Sequence, residues 1–287
     1  MSDLLSIAEL PEGAFAESLA LSERADLDRP LAGKGVALVF EKPSARTRNS
    51  SEMAVVQLGG HPVYIQKAEV GIDTRESAED VARTLACYHS IIAARVMDHR
   101  HLLRMADAVE TPVANLLSDS DHPFQALADL LTVKQLLGRL EGARIAYVGD
   151  ADNNVARSLA QACVLVDAEL TLARPEAHRL KDAPYGVRQV ADPAEAVAGA
   201  QIVYTDVWVS MGQDDEAEAR RKAFADYRVD EALMAKADDA WFLHCLPARR
   251  GEEVTDGVME SARSAVWLQA ENRMHTARGA LAWLAAS

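Results

Sequence analysis

Short apolar runs rich in Val, Ile, Leu and Tyr recur along this chain, separated by segments whose apolar residues have helical spacing. Strands that alternate with helices in this way form parallel sheets, because each helix returns the chain to the edge where the next strand begins. The pattern therefore predicts an α/β fold with two doubly wound, parallel-sheet domains. The eight predicted strands lie at 36–40, 62–65, 90–96, 112–117, 144–149, 168–173, 201–206 and 240–245.

One long helical pattern separates these strands into two groups of four. It covers 122–142, with Pro123 in its first turn and Gly138 near its end. A chain of 287 residues is long for one core and suits two domains. The predicted domain ranges are 1–138, joined by a final amphipathic helix at 268–287 that packs back on it, and 139–267.

The charge and cysteine content exclude several classes of protein. A formal net charge of -14 argues against the extended basic face that binding to nucleic acid or to an anionic membrane needs. Cys87, Cys163 and Cys245 have the spacing of neither a zinc signature nor a disulfide framework. No signal peptide and no apolar run of about 20 residues is visible. We therefore expect a cytoplasmic protein with reduced thiols and with no nucleic-acid or membrane partner.

Polar residues follow the carboxyl ends of six predicted strands, three in each half of the chain. In open α/β sheets, ligands bind in the crevice outside those ends. We therefore expect an active site in the cleft between the two domains. The polar positions are KPSARTR after residue 41, Arg95, SDSDHPFQ after residue 117, DADNN after residue 149, Asp206 and Cys245.

The stretch KPSARTR, residues 42–48, leads from an apolar strand directly into a helix that begins near Ser44. Free backbone N–H groups at a helix start bind oxyanions, and the hydroxyls of Ser44 and Thr47 add donors. The guanidinium groups of Arg46 and Arg48 suit paired phosphate oxygens. No glycine-rich loop is present, so this is no nucleotide P-loop. The alternative is a solvated helix start capped by Ser44.

Two further positions bring donors to the same edge. Arg95 ends an apolar run, so its charge reaches the crevice either as a ligand group or as a structural ion pair. His122 stands at a helix start with Gln125 three residues later, a spacing that also suits a plain capping box. As a ligand site, the imidazole N–H would donate to a carbonyl or anion oxygen.

The second half of the chain offers groups for a zwitterionic ligand. GDADNN lacks the second glycine of a dinucleotide site, so we expect no nucleotide there. Asn153 and Asn154 could instead cap the helix and present amides to a zwitterionic ligand, whose carboxylate the helix N-terminus would attract. Asp206, with Ser210 nearby, would pair with an ammonium, and a helix cap or solvated loop is the alternative.

Neither a cysteine nucleophile nor a metal site is predicted. His244 precedes Cys245, but neighbours on a strand point to opposite faces, so a ligand-lining or structural thiol is favoured over a nucleophile. His99 and His101 share no helical face, and no acidic or Cys partner completes a ligand set. We therefore predict no metal.

Taken together, these motifs resemble the carbamoyltransferase family, and within it the members that act on ornithine, over nearly the whole chain. FEKPSARTR is similar to the family's carbamoyl-phosphate motif, HPFQ to HPxQ, and DVWVSMG to its ornithine loop, while HCLPARRGEEVTD and AENRMH resemble its C-terminal signatures. The resemblance implies carbamoyl transfer from carbamoyl phosphate to the δ-amino group of L-ornithine, without a cofactor. It also implies two α/β domains, and homotrimers or multiples of trimers with active sites at subunit interfaces.

The resemblance further implies residue roles. The implied contacts of carbamoyl phosphate are Ser44, Ala45, Arg46, Thr47, Arg95, His122, Gln125 and Arg273. The implied contacts of ornithine are Asn154, Asp206, Ser210, Met211, Cys245 and Leu246. The residues implied to be catalytic are Arg46, Arg95, His122 and Cys245.

Three positions depart from the family pattern. Ala45 replaces a common threonine, and Phe124 stands where cysteine is frequent. Glu69 falls nearest a Gln or His that reaches a neighbouring subunit's carbamoyl phosphate, and a carboxylate there would repel phosphate, so we expect Arg75 to make that contact. Two alternatives stay open: a carbamoyltransferase with another acceptor, such as putrescine, aspartate or an acylated ornithine, and a non-catalytic sensor with this fold.

Overall fold

The chain forms two compact units in a computed structural model that describes residues 2–209 and 214–286. Unit 1 comprises Met1–Leu131 and Glu271–Ser287, and unit 2 comprises Thr132–Ala270. Among the described residues, no helix combines the length and the apolar character needed to cross a membrane.

Unit 1 is built on a parallel sheet of four strands. These are β1 (Gly35–Phe40), β2 (His61–Gln66), β3 (Ile91–Arg95) and β4 (Val113–Leu117). They lie in the order β2-β1-β3-β4. The helices that begin in this unit are α1 (Ala14–Glu23), α2 (Ala45–Gln57), α3 (Lys67–Val70), α4 (Ala78–Ala86), α5 (His99–Ala108) and α6 (Pro123–Leu137).

The two central strands of unit 1 set the position of its polar edge. β3 is buried throughout and β1 from its second residue onward, as expected for strands covered on both faces. Phe40, the last residue of β1, pairs with Arg95, the last residue of β3. The N–H of Glu41 continues the ladder and donates to the carbonyl oxygen of Arg95 at 2.9 Å. The loop that enters α2 therefore starts beside Arg95.

Unit 2 is built on a second parallel sheet, with five described strands in the order β7-β6-β5-β8-β9. The strands are β5 (Arg144–Val148), β6 (Glu169–Ala173), β7 (Arg188–Val190), β8 (Ile202–Thr205) and β9 (Trp241–His244). The helices are α7 (Asn154–Leu165), α8 (Pro193–Val197), α9 (Ala217–Phe224), α10 (Glu231–Met234), α11 (Asp256–Met259) and α12 (Val266–Ala286), the last of which continues into unit 1. Short 3₁₀ turns lie at Glu176–His178, Asp214–Glu216, Ala225–Tyr227 and Ala235–Ala237.

The predicted α/β class with two parallel sheets is confirmed, with one strand more than expected. β7 was missed because its three residues, Arg-Gln-Val, are partly or fully exposed and form no apolar run. At the other side of the sheet, Thr205 at the end of β8 pairs with His244 at the end of β9. This register brings Asp206 and Cys245 next to each other.

Helix α12 differs from its predicted amphipathic character. Thr276–Leu284 is buried at every position, because this part of the helix is covered on all sides. Gly279 lies against α1, where a Cβ atom would come 2.5 Å from the carbonyl oxygen of Ser18. The missing side chain at Gly279 therefore allows the two helices to approach closely.

Candidate active site

The start of α2 forms an anion-binding corner in unit 1. Ser44 is the N-cap, and its hydroxyl oxygen accepts from the N–H of Thr47 at 3.3 Å and lies 3.2 Å from the Thr47 hydroxyl. Ala45 and Arg46 occupy the first helical turn and are exposed. The N–H groups of that turn face outward with the positive end of the helix dipole, which suits an oxyanion.

Arg95 lies beside this corner, although its side chain is buried to 5% exposure. Its Nη1 donates to the Thr47 hydroxyl at 3.4 Å. Burial, together with the charges of Arg273 and Arg46, lowers the pKa of Arg95 to about 10. The guanidinium is still charged at neutral pH, and its neighbours destabilise that charge. An anion bound here would relieve this repulsion.

His122, Gln125 and Arg273 form the second part of the cluster. Arg273 Nη1 donates to the side-chain oxygen of Gln125 and lies 3.3 Å from His122 Nε2. Because a guanidinium has no acceptor, Nε2 accepts and the proton of the neutral ring is on Nδ1. Burial and the charges of Arg273 and Arg95 hold the pKa of His122 well below its usual value, so the ring stays neutral. Nδ1–H is then the group that can donate to a ligand.

Sequence reasoning missed the residue that orients Gln125. Asp129 is fully buried and accepts from Gln125 Nε2 at 2.7 Å. This contact turns the oxygen of the Gln125 amide toward Arg273. The i, i+4 spacing of the two residues on α6 was a signal that could have identified the pair.

The structure does not place Arg48 with Arg46. Arg48 forms an ion pair with Glu52 at 2.8 Å and lies 3.8 Å above the ring of Tyr64. Two residues apart on a helix point in widely different directions, so only one of these arginines can face the corner. Arg48, named beside Arg46 as a group suited to phosphate, therefore has other partners, and its contact with phosphate stays a prediction.

In unit 2, Asp206 and Cys245 meet at the ends of β8 and β9. The thiol of Cys245 donates to Asp206 Oδ1 at 3.0 Å, and the N–H of Val207 donates to the same oxygen at 2.8 Å. Burial raises the pKa of Asp206, while His244 and Cys245 partly oppose the shift. An ionised Asp206 would repel a thiolate, which favours a ligand-lining role for Cys245 over that of a nucleophile.

His244, the last residue of β9, lies at the same edge of the sheet and is fully buried. Its Nδ1 accepts from the N–H of Leu246 at 2.9 Å, and its Nε2 lies 3.1 Å from Glu253 Oε1. Leu246 adopts φ of 61°, which turns the chain sharply after Cys245. Glu253, which sequence reasoning missed, fixes the ring and through it the backbone of Leu246.

The sequence predicts that His244 does not easily reach the sulfur of Cys245, because neighbours on a strand point to opposite faces, and this stays a prediction. Strand β9 ends at His244, so alternation no longer applies to Cys245, and ligand atoms of Asp206, His244 and Cys245 all lie within 4.8 Å of one another. Such a trio has the donor types of a metal site. Both ring nitrogens of His244 already have partners, and the absence of a metal stays a prediction.

Asn154 is the first residue of α7, and the preceding Asn153 is its cap. The side-chain oxygen of Asn153 accepts from the N–H of Ala156 at 2.8 Å, and its amide donates to the hydroxyl of Tyr147 at 3.1 Å. Asn153 is thus structural, and Asn154 is half-buried at the helix start. Ser210 and Met211, also predicted to contact a ligand, lie outside the described residues.

The contacts of the loop around residues 67–77 explain how a glutamate, Glu69, is accommodated nearest the position where the family has Gln or His. Its carboxylate accepts from the N–H of Gln66 at 2.7 Å and completes a capping box on α3. Arg75 is exposed and donates to the carbonyl oxygen of Glu69 at 3.2 Å. The carboxylate that would repel a phosphate is therefore engaged in a helix cap.

Comparisons with known proteins show the family to which the chain belongs. Residues 3–135 match the carbamoyl-P binding domain, and residues 141–284 the Asp/Orn binding domain, of aspartate/ornithine carbamoyltransferase. The chain is 46% identical to an ornithine carbamoyltransferase of Hyperthermus butylicus over 89% of this chain and 86% of the relative. It is 47% identical to one from Acidothermus cellulolyticus with the same coverage of both chains.

Solved structures give the same result. An ornithine carbamoyltransferase from Pyrococcus furiosus superposes with a TM-score of 0.92 at 40% identity, over 98% of this chain and 96% of that one. An anabolic ornithine carbamoyltransferase from Campylobacter jejuni gives 0.93 at 29% identity, over 99% of both chains. The chain belongs to the aspartate/ornithine carbamoyltransferase family and is a carbamoyltransferase.

Proposed function

We propose that this protein transfers the carbamoyl group of carbamoyl phosphate to the δ-amino group of L-ornithine, giving L-citrulline and phosphate. The observation that carries the proposal is the cluster in unit 1, where the charges of Arg273 and Arg95 act on a neutral His122 and the charge of Arg46 acts on Arg95. Neither Arg46 nor Arg95 forms an ion pair with a carboxylate in the described parts of the chain. Such a cluster suits a small dianion that carries a polar carbonyl end.

On the donor side, each group has a role that follows from its position. The hydroxyls and N–H groups at the start of α2 hold the phosphate, and Arg95, which donates to Thr47, bridges the phosphate and the carbonyl. His122 Nδ1–H and Arg95 donate to the carbonyl oxygen, and Gln125 contacts the carbamoyl amide. The proposed carbamoyl phosphate site comprises Ser44, Ala45, Arg46, Thr47, Arg95, His122, Gln125 and Arg273.

The reaction then needs no covalent enzyme intermediate. The neutral δ-amine attacks the carbamoyl carbon, and the carbonyl oxygen gains negative charge that Arg95 and His122 stabilise. The bond from carbon to the bridging phosphate oxygen breaks, and the departing phosphate accepts the proton of the amine. A free alkyl ammonium has a pKa near 10, so the rate rises with pH.

On the acceptor side, the proposed ornithine site comprises Asn154, Asp206, Ser210, Met211, Cys245 and Leu246. Asp206 pairs with the α-ammonium, and the N-terminus of α7 with Asn154 attracts the α-carboxylate. The backbone of Leu246, whose N–H donates to His244, and Cys245 lie near the δ-amine in this proposal.

The family resemblance and the thiols support proposals on the assembly and the location of the protein. We propose a homotrimer or a multiple of trimers, in which Arg75 contacts the carbamoyl phosphate of a neighbouring subunit. Arg75→Ala should raise the KM for carbamoyl phosphate, and an unchanged KM would refute the contact.

A cytoplasmic location is supported by Cys87, Cys163 and Cys245, none of which forms a disulfide. We also propose 1–138 with 268–287, and 139–267, as the domain ranges.

An acceptor panel tests the proposal. The protein is incubated with carbamoyl phosphate and, in separate reactions, ornithine, putrescine, aspartate or N-acetylornithine, and phosphate and carbamoylated product are both measured. Citrulline and phosphate in equal amounts from ornithine alone are expected. Product from another amine would assign a different acceptor, and no product from any amine would favour the non-catalytic sensor.

A further inference from the structure

Arg220, on α9, is charged and yet only 7% exposed. Its Nε donates to the backbone oxygen of Trp208 at 2.6 Å, and its Nη2 donates to a carboxylate oxygen of Asp150. The exposed Glu216 lies at 3.8 Å from Nη1 and adds little in water. The two buried contacts fix both ends of the guanidinium fork.

The first contact reaches the loop that follows β5. Asp150 is 2% exposed, and its second carboxylate oxygen accepts from the N–H of Asp152 at 3.0 Å. The backbone oxygen of Asp150 accepts from the amide of Asn153 at 2.9 Å. Asn153 caps α7 and is followed by Asn154. Arg220 therefore holds the segment that presents Asn154.

The second contact reaches the segment that follows β8. Trp208 lies two residues after Asp206 and is buried to 2% exposure. Its ring stacks on Phe224 of α9, with 6.1 Å between the ring centroids and 21° between the planes. The backbone oxygen of Trp208 accepts from Arg220 in addition. α9 thus holds the segment that carries Asp206 by a ring stack and a hydrogen bond.

A gain in folding stability does not by itself explain why Arg220 is buried against Asp150 and Trp208. A buried ion pair loses most of its Coulomb energy to desolvation, and apolar groups of similar shape are often as stabilising. What the planar fork supplies is a fixed distance between two backbone segments, since it donates in two directions at once. In this protein those segments carry Asn154 and Asp206.

We propose that Arg220 is a positioning residue for the amine acceptor: it fixes Asp206 relative to Asn154 without touching the substrate. The inference rests on the proposed ornithine site and adds to it a residue outside that site. A displacement of about 1 Å between two groups that bind one substrate can lower catalytic efficiency by up to about 100-fold. Loss of the fork should therefore weaken acceptor binding specifically.

The next residue on the same helix provides a matched control. Arg221 is 47% exposed in its side chain and pairs with Glu252 at 3.1 Å. R220M and R221M thus remove the same charge and add the same side chain at neighbouring positions. R220M should raise the KM for ornithine about 10- to 100-fold and leave the KM for carbamoyl phosphate within about twofold, whereas R221M should change neither.

Two further variants keep the test decisive. R220K retains the charge but not the fork, so it should also raise the KM for ornithine, and it replaces R220M if that variant does not fold. D150N/R220M also removes the carboxylate that has lost its guanidinium partner, and it should recover thermal stability without recovering the KM for ornithine. An unchanged KM for ornithine in R220K, or in a folded R220M, would overturn the inference. Absence of citrulline with the wild-type protein would instead contradict the proposed function.

Discussion

The neutral state of His122 limits the part that this side chain could take in the proposed carbamoyl transfer. Arg273 donates toward Nε2, and the surrounding positive charge keeps a second proton off the ring. An imidazolium would donate more strongly, but it would add another cation to a buried cluster that already holds Arg95 and Arg273. We therefore propose that the ring acts as a fixed neutral donor and not as a proton shuttle.

This role gives a prediction for H122A. Loss of one donor to the developing oxyanion should lower kcat by about 10²- to 10³-fold. Because the pKa of His122 is well below its usual 6.5, the ring does not titrate above that pH. The logarithm of kcat/KM for ornithine should therefore rise with pH with a slope of about one in both proteins, as the amine loses its proton. A wild-type break near pH 6.5 that disappears in H122A would contradict this role.

At the residue scale, the sequence predicted what local rules determine and failed where tertiary contacts decide. The Ser44 cap and the exposed Arg46 follow from the order of residues at a helix start. The ion pair of Arg48 with Glu52 could have been predicted, because the two residues are four apart on a helix. The pair of Asp150 and Arg220 could not be predicted, because 70 positions separate the two residues and only the fold brings them together.

Among the elements, α12 and α1 show how a single glycine sets a helix packing distance. A Cβ at Gly279 would lie 2.5 Å from the carbonyl oxygen of Ser18 and 2.7 Å from the backbone nitrogen of Ser22. Backbone atoms cannot move aside as a flexible side chain can, so the two helices would have to separate. The helix at the C-terminus of unit 1 thus depends on this glycine.

G279A should destabilise the protein by about 1–3 kcal/mol, measured as a lower midpoint of thermal unfolding. G257A is the matched control, because a Cβ at Gly257 would meet the flexible end of the exposed Glu231 side chain. That substitution should leave stability unchanged or raise it by up to about 1 kcal/mol. Equal losses in the two variants would show that close backbone approach is not the cause.

The strands show a similar division between predictable and unpredictable elements. Continuous apolar runs such as Val36–Phe40 and Ile91–Arg95 are typical of buried parallel strands, and the structure has them within a residue or so of the predicted bounds. β7 pairs with β6 at the edge of its sheet, where partly exposed residues suffice. The three residues Arg-Gln-Val show no periodic pattern of apolar residues that would distinguish β7 from a loop.

At the scale of the whole molecule, the residues of the two proposed substrate sites fall in different units. Unit 1 carries the cationic cluster around His122, and unit 2 carries Asp206 and Asn154. An overall charge of -14 is compatible with an anionic substrate because the arginines are concentrated locally. Sequence composition alone could not locate that concentration, whereas the motifs after each strand could, since parallel strands bring their carboxyl ends to one edge.

Direct transfer between the two substrates is the central claim, and a single-turnover experiment tests it. Excess protein is mixed with carbamoyl phosphate labelled with ¹³C in the carbamoyl group, with or without ornithine, and the labelled carbon and released phosphate are followed over time. We expect the label to pass from carbamoyl phosphate to citrulline together with phosphate release, and no rapid release without ornithine. A burst of phosphate in the absence of ornithine, with the label bound to the protein, would contradict the account.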